Sequence, residues 1–369
     1  MPDRGAEAGG AQTRGWRRRA RAAPVTSGII ILCALAFAAT LAYTAAIAED
    51  PLFALIRSLW SIDSDAGLVQ LGALELTSVW LKGQWWRLDT AALLHGSWLH
   101  LVLNLSALWS IGEWLEPAMG SLRTALLFLV SALGGSLASL VWCEAPVVVG
   151  ASGGILGLAG ALWIARVRGP QSVRDRLDDI SANALAVMIG LCLGLGLVVP
   201  VIAQAGHVGG LVAGSLLAAH ILIRGPMRLL ALPLLTALLA LGFYRGAEPV
   251  DRANYHLFLG YAYLDQDDPT DALAAFESAL RITPGAPETA NAVAYHLALA
   301  GQALDRADAL IDQALEAEPE NPDFLDTKGW IACRRGDTET GMRWLKRAVD
   351  VTTRDIPEIE EHLATCEGA

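Results

Sequence analysis

The chain has 369 residues, 54% of them hydrophobic, and a formal net charge of −11; its mean hydropathy of +0.42 is too high for an ordinary soluble enzyme. Residues 251–369 hold 23 Asp/Glu against 10 Lys/Arg, whereas residues 1–250 hold 15 against 17. An apolar, slightly basic front and an acidic rear predict a membrane domain followed by a soluble one, and the rear has no extended basic patch with interleaved aromatics, which argues against nucleic-acid binding.

Residues 1–24 are polar and basic, with Arg14, Arg17, Arg18, Arg19 and Arg21 just before the first apolar run; they are expected to form a disordered cytoplasmic tail. The run from Ser27 to Ala48 ends in Ala46-Ile47-Ala48, which looks like a signal-peptidase site. Its apolar core of about 20 residues is too long for a signal peptide and right for a membrane span. Further spans are predicted at 98–115, 122–142, 153–167, 182–203, 207–223 and 227–244. Arginines follow alternate spans (Arg123; Arg166, Arg168, Arg174 and Arg176; Arg224 and Arg228). The expected topology is therefore seven spans, N-terminus inside and C-terminus outside. The expected domains are the tail 1–24, a transmembrane domain 25–245 and a soluble helical domain 250–369.

Within the spans, polar residues are costly and mark function by default. Gly150-Ala151-Ser152-Gly153-Gly154 places a glycine-flanked serine at the outer head of the fourth span, where its hydroxyl has room to act as a nucleophile. G-x-S-x-G also fits the strand-turn-helix elbow of soluble α/β hydrolases, but the flanking segments are apolar spans without alternating strands. His207 opens the sixth span, at the same predicted depth. His100 and Asn104 share one face of the second span; His95 precedes that helix, and Ser97 is placed to cap it. Ser152 with His207 makes a nucleophile and a general base, and His100, Asn104 and the Ser152 N–H are donors for an oxyanion. No carboxylate is placed to complete a triad: Asp175, Asp178 and Asp179 fall on the opposite face, and Asp89 fits no pattern. A Ser–His dyad is expected. A transporter with His100 and His207 on a proton path would leave the glycine-flanked serine without a role.

These blocks, namely Gly83-Gln84-Trp85-Trp86-Arg87, His95 with His100 and Asn104, Gly150-Ala151-Ser152-Gly153, and His207-Val208-Gly209-Gly210 with Gly214, resemble the rhomboid intramembrane serine proteases over residues 80–220. The resemblance implies a six-helix core, here with a seventh span, cleavage of transmembrane protein substrates near their outer ends, and no metal or cofactor. It makes Ser152 the nucleophile and His207 the base. His100, Asn104 and the Ser152 amide become the oxyanion hole, with Gly150, Gly153, His95, Trp86 and Arg87 in support. Leu156 is a departure, since many members carry an aromatic there beneath the catalytic histidine. Inactive relatives that bind and escort membrane proteins give the alternative function, a membrane adaptor.

Past Tyr244 the pattern turns to charged amphipathic helices. Gly260, Tyr263, Ala272, Phe276, Ala279 and Pro284 fall at the spacing of a tetratricopeptide (TPR) repeat. Tyr295, Ala298, Ala307, Ile311, Ala314 and Pro319 follow 35 residues on, then Gly329, Ala332, Gly341, Leu345 and Ala348. Three helix pairs and a terminal helix near 356–366 make an all-α solenoid, expected to bind a protein or peptide ligand. Of the five cysteines, none forms a CxxC pair or has metal-ligand spacing. An extracytoplasmic repeat domain would put Cys333 and Cys366 in an oxidising compartment where they can pair. Only three lysines, Lys82, Lys328 and Lys346, beside heavy use of Ala and Leu, point to a GC-rich bacterial genome, hence to a bacterial plasma membrane.

Overall fold

The computed structural model describes residues 22–48, 50–53, 56, 65–142, 147–198, 203–247, 249–352 and 357–367; the predicted N-terminal tail before residue 22 lies outside them. The chain divides into two compact units, Met1–Ala247 and Glu248–Ala369.

Among the described residues the first unit holds seven long helices: α1 (Pro24–Ile47), α2 (Trp98–Met119), α3 (Ser121–Trp142), α4 (Ser152–Arg168), α5 (Ala182–Val198), α6 (Gln204–Leu222) and α7 (Pro226–Ala247). Four of them (α1, α3, α6 and α7) are long and apolar enough to cross a membrane as they stand. Two more qualify as bent pairs: α2 with residues 87–93, at 93°, and α5 with residues 171–177, at 76°. At 17 residues α4 is shorter, about 26 Å at 1.5 Å per residue, and almost all of its middle is buried among its neighbours. The other helices keep apolar side chains outward, as lipid-facing surfaces do: Leu191 and Leu195 on α5, Leu229 and Leu230 on α7.

Small residues let α3, α4 and α6 approach closely. A methyl on Gly210 of α6 would overlap the Gly153 carbonyl of α4, and one on Gly209 would meet Ala138 of α3. The α4 and α6 contacts advance together, Gly153 with Gly206 and Gly210, then Gly157 with Gly210 and Gly214. These two helices are therefore parallel, and their N-termini lie at one end of the bundle. On α7, Gly242 and Gly246 pack on Leu137 and Leu140 of α3, so α7 ends where α3 ends and α4 begins.

The connection after α1 folds back on that end. A two-residue strand, β1 (Leu74–Glu75), pairs antiparallel with β2 (Val147–Val148), Leu74 opposite Val148. Arg87 is buried and ties the connection together, donating to the carbonyls of Val69 (2.6 Å) and Ala73 (2.9 Å) and to Gln84 Oε1 (2.7 Å). Its guanidinium lies 4.8 Å from the Trp86 ring centre, and that ring is half exposed. At the opposite end Glu116 of α2, 1% exposed, accepts from the N–H groups of Val25 and Thr26 (both 2.9 Å) and from Thr26 Oγ1 (2.8 Å). A carboxylate thus satisfies the free donors at the start of α1, where the helix dipole also favours negative charge.

Among the described residues the second unit holds seven helices in sequence: α8 (Ala253–Leu264), α9 (Pro269–Ile282), α10 (Pro287–Ala300), α11 (Leu304–Ala317), α12 (Pro322–Arg334), α13 (Thr338–Val351) and α14 (Pro357–Glu367). Pro287, Pro322 and Pro357 each open a helix, where proline's missing N–H costs nothing. Phe276, Ala290, Val293, Ala294, Ile311 and Phe324 form its core. Of the positions predicted for the second set, Ala298, Ala307, Ile311 and Ala314 are fully buried, and Tyr295 is not. Ala290, Ala292 and Ala294 are the other buried small residues of α10. Cys333 and Cys366 are joined in a disulfide across α12 and α14. Cys33 is a buried free thiol, and Cys192 an exposed one.

Candidate active site

Ser152 is the first residue of α4, and His207 lies in the first turn of α6. Because those helices are parallel and nearly touching, His207 Nε2 stands 2.8 Å from Ser152 Oγ, within hydrogen-bond range. The other ring nitrogen, Nδ1, is buried without a hydrogen-bond partner among the described residues. Asp178 pairs with Arg166 (3.4 Å), and Asp175 accepts from Gln171 (2.6 Å).

Gly150 sets the approach to the serine. Its φ of +124° is a conformation that side-chain-bearing residues rarely adopt, and a β-carbon there would lie 2.8 Å from His100 Nε2. The His100 ring thus presses against the strand leading to Ser152. Gly150 N–H donates to the Ala91 carbonyl (3.0 Å), pinning that strand to the turn before α2. Ser97 caps α2, as its position predicted, accepting from His100 N–H at 3.2 Å. His95, fully buried, packs edge-on against His100 with ring centres 5.0 Å apart.

Asn104 is buried one turn below His100, and its Nδ2 donates to the His100 carbonyl at 2.9 Å. One of its two N–H groups is thus spent on its own helix. Leu156, buried one turn below Ser152, stands where the resemblance leads one to expect an aromatic ring. Beside the serine is a small cavity lined by Gly135, Ser136, Ser139, Gly150, Gly154 and Gly206. Sequence reasoning reached neither this cavity nor the buried Glu116. The cavity is assembled from α3, α4 and the start of α6 with the turn at Ala91–Ala92 and the segment Val148–Gly150, and the second span was expected to end at 115, before the glutamate.

The fold and this site define a polytopic helical bundle with a Ser–His pair at one end of two parallel helices. Residues 82–224 match the Rhomboid domain; this stretch of the chain is a rhomboid domain. Rhomboid protease GluP of Bacillus subtilis (strain 168) is 40% identical over 152 residues, 41% of this chain and 29% of that protein. RHOMBOID-like protein 6, mitochondrial, of Arabidopsis thaliana is 34% identical over 151 residues, 41% of this chain and 48% of that one. Rhomboid protease AarA of Providencia stuartii is 31% identical over 186 residues, 44% of this chain and 66% of that protein. The chain thus spans from under a third to about two thirds of the length of these relatives. Part of the chain aligns with the Sgt2 TPR domain from Aspergillus fumigatus at 15% identity and a TM-score of 0.29, over 31% of this chain and 77% of that one, a likeness too slight to carry an assignment.

Proposed function

We propose that the chain is an intramembrane serine endopeptidase that cleaves transmembrane proteins near the outer face of a bacterial plasma membrane. The observation that carries this reading is the 2.8 Å Ser152–His207 contact inside a rhomboid domain. His207 Nε2 takes the Ser152 proton as Oγ bonds to the scissile carbonyl carbon. The carbonyl oxygen, now an anion, is met by His100, the second N–H of Asn104 Nδ2 and the Ser152 amide. As the C–N bond breaks, His207 returns the proton to the leaving amine, and water then releases the acyl group by the reverse sequence. With no partner for Nδ1 among the described residues, packing orients the imidazole, which makes a dyad. Ser152→Ala is expected to abolish cleavage of a transmembrane reporter at unchanged expression; retained cleavage would refute the assignment.

The small residues lining the cavity beside Ser152 support a small side chain next to the scissile bond. Reporters with alanine there should be cleaved at least tenfold faster than those with phenylalanine, read by initial rates in detergent. Equal rates would count against this pocket.

The end of α7 beside the Ser152 end of the bundle supports a repeat module on the outer side, where it would recruit substrate or a partner. A C-terminal tag should then be digested by protease added to intact cells with a permeable outer layer; digestion only after membrane rupture places the module inside. Leu156 favours the second reading, an inactive adaptor, because it offers His207 no aromatic face. Labelling of Ser152 by a fluorophosphonate separates the two, since an adaptor should not react.

A further inference from the structure

α14 closes the repeat unit with little of the apolar packing that fixes the helices before it. Among its described side chains the buried ones are Ile359, His362 and Cys366, spaced three and four residues apart and so on one face. Ile359 packs in an apolar cluster with Leu325 of α12 and Ala348 of α13. A helix of 11 residues is too short to persist in water by itself, so its docking depends on what His362 and Cys366 hold.

Both hold α12. Cys366 is joined to Cys333, and His362 Nδ1 pairs with Asp326 at 2.9 Å. The His362 ring stacks on Trp330 of α12 with centres 4.4 Å apart. α14 also reaches past α12 to α10, where the Tyr295 hydroxyl donates to Glu358 and the Tyr295 ring lies 5.8 Å from that of His362. α10 and α12 adjoin, Arg334 donating to the Ala298 carbonyl at 3.2 Å. Tyr295, Asp326 and Trp330 therefore share one face, and α14 lies across it. Tyrosine and tryptophan are the side chains that protein interfaces favour. What keeps them covered is one aliphatic anchor, a polar pair and a covalent bond that thiols can break.

We propose that α14 is a redox-controlled lid: the Cys333–Cys366 disulfide keeps it over the Tyr295–Trp330 face, and reduction releases it and opens that face to a protein partner. The proposal rests on the reading of the repeats as a recruitment module and says when that module can act. The reductant is a dithiol. One of its thiolates attacks the sulfur of Cys333, which is half-buried where Cys366 is 1% exposed. The S–S bond breaks, and Cys366 leaves as a thiolate and takes up a proton. The second thiol of the reductant then displaces Cys333 from the mixed disulfide, and Cys333 is protonated in turn. Two cysteines are thus reduced by two electrons while the dithiol becomes a disulfide.

Hydrogen exchange read by mass spectrometry tests this on the full chain in detergent micelles, at one pH, with and without dithiothreitol. Reduction should speed exchange of the α14 amides about tenfold or more and leave α10 and α12 within about twofold. Reoxidation should restore the slow exchange. Hydroxyl-radical footprinting of the reduced chain should find Tyr295 and Trp330 newly open. The double substitution Cys333→Ser with Cys366→Ser should match the reduced chain and not respond to dithiothreitol. Unchanged α14 exchange overturns the proposal. So does an equal loss of protection across α10, α12 and α13, because the disulfide would then be a staple for the whole unit. No ligand enters this readout, so both failures leave the recruitment reading standing. An α14 that opens while cleavage of a transmembrane reporter stays the same supports the lid and counts against recruitment.

Discussion

Gly150 and Glu116 show how differently single residues reveal themselves. Gly150 was legible because glycines flank a serine, yet its need for glycine comes from its positive φ and from the His100 ring packed against it. Gly150→Ala should cost about 1–3 kcal/mol of strain at the site, which would lower the cleavage rate about tenfold to a hundredfold if borne by the reactive geometry. Cleavage kinetics beside a melting curve check this, and an unchanged rate would show that the loop tolerates the methyl. Glu116 was not legible, because an acid near a predicted span end reads as a boundary residue. Its role appears only once α1 is packed beside it. Glu116→Ala strands two backbone N–H groups and the Thr26 hydroxyl, each buried donor costing about 1–3 kcal/mol. Thermal unfolding should show a clear fall in midpoint, smaller for Glu116→Gln, which keeps one acceptor oxygen.

Among the elements, the α4–α6 pair carries the site. Apolar runs and glycine spacing predicted both helices and their close packing, since only small residues let membrane helices approach so near. That the two helices are parallel decides whether Ser152 and His207 meet. Gly210→Val should push α6 away from the Gly153 carbonyl, break the Ser152–His207 contact and abolish fluorophosphonate labelling without preventing insertion. In the repeat unit α14 is held through His362. Burial opposes the charge on this ring, but the hydrogen bond to Asp326 and the charges of Asp326, Glu358 and Glu361 outweigh it and raise the pKa above the ordinary 6.5. A raised pKa in the folded state gives stability that is complete below 6.5 and is lost as pH rises through the folded value. Hydrogen exchange of the α14 amides should therefore be slow at pH 6 and faster at pH 8.5, beyond the intrinsic rise. Asp326→Asn should flatten the difference. The periodicity revealed α14 as a terminal helix, but Asp326 and His362 stand 36 residues apart with no pattern linking them.

At the scale of the molecule, the split in charge and hydropathy predicted two units, and the structure divides the chain at Ala247. The Cys333–Cys366 disulfide joins residues 33 apart and ties α12 to α14. Peptide mapping without reductant should recover the linked pair from chain isolated under thiol blocking, and its loss should loosen α14 by about 2–4 kcal/mol. Recovery of only free thiols would argue against an oxidising compartment for the module, and so against the proposed topology. The sequence by itself determined which segments are apolar enough for lipid, which polar residues sit among them and where the charged amphipathic helices begin, because hydropathy and helical period are local properties of a chain. Only the tertiary structure decided what those residues touch. Helix direction, the 2.8 Å approach of His207 to Ser152 and the cavity that α3, α4 and α6 form with the turn before α2 all depend on packing between segments far apart in sequence, which no local period records.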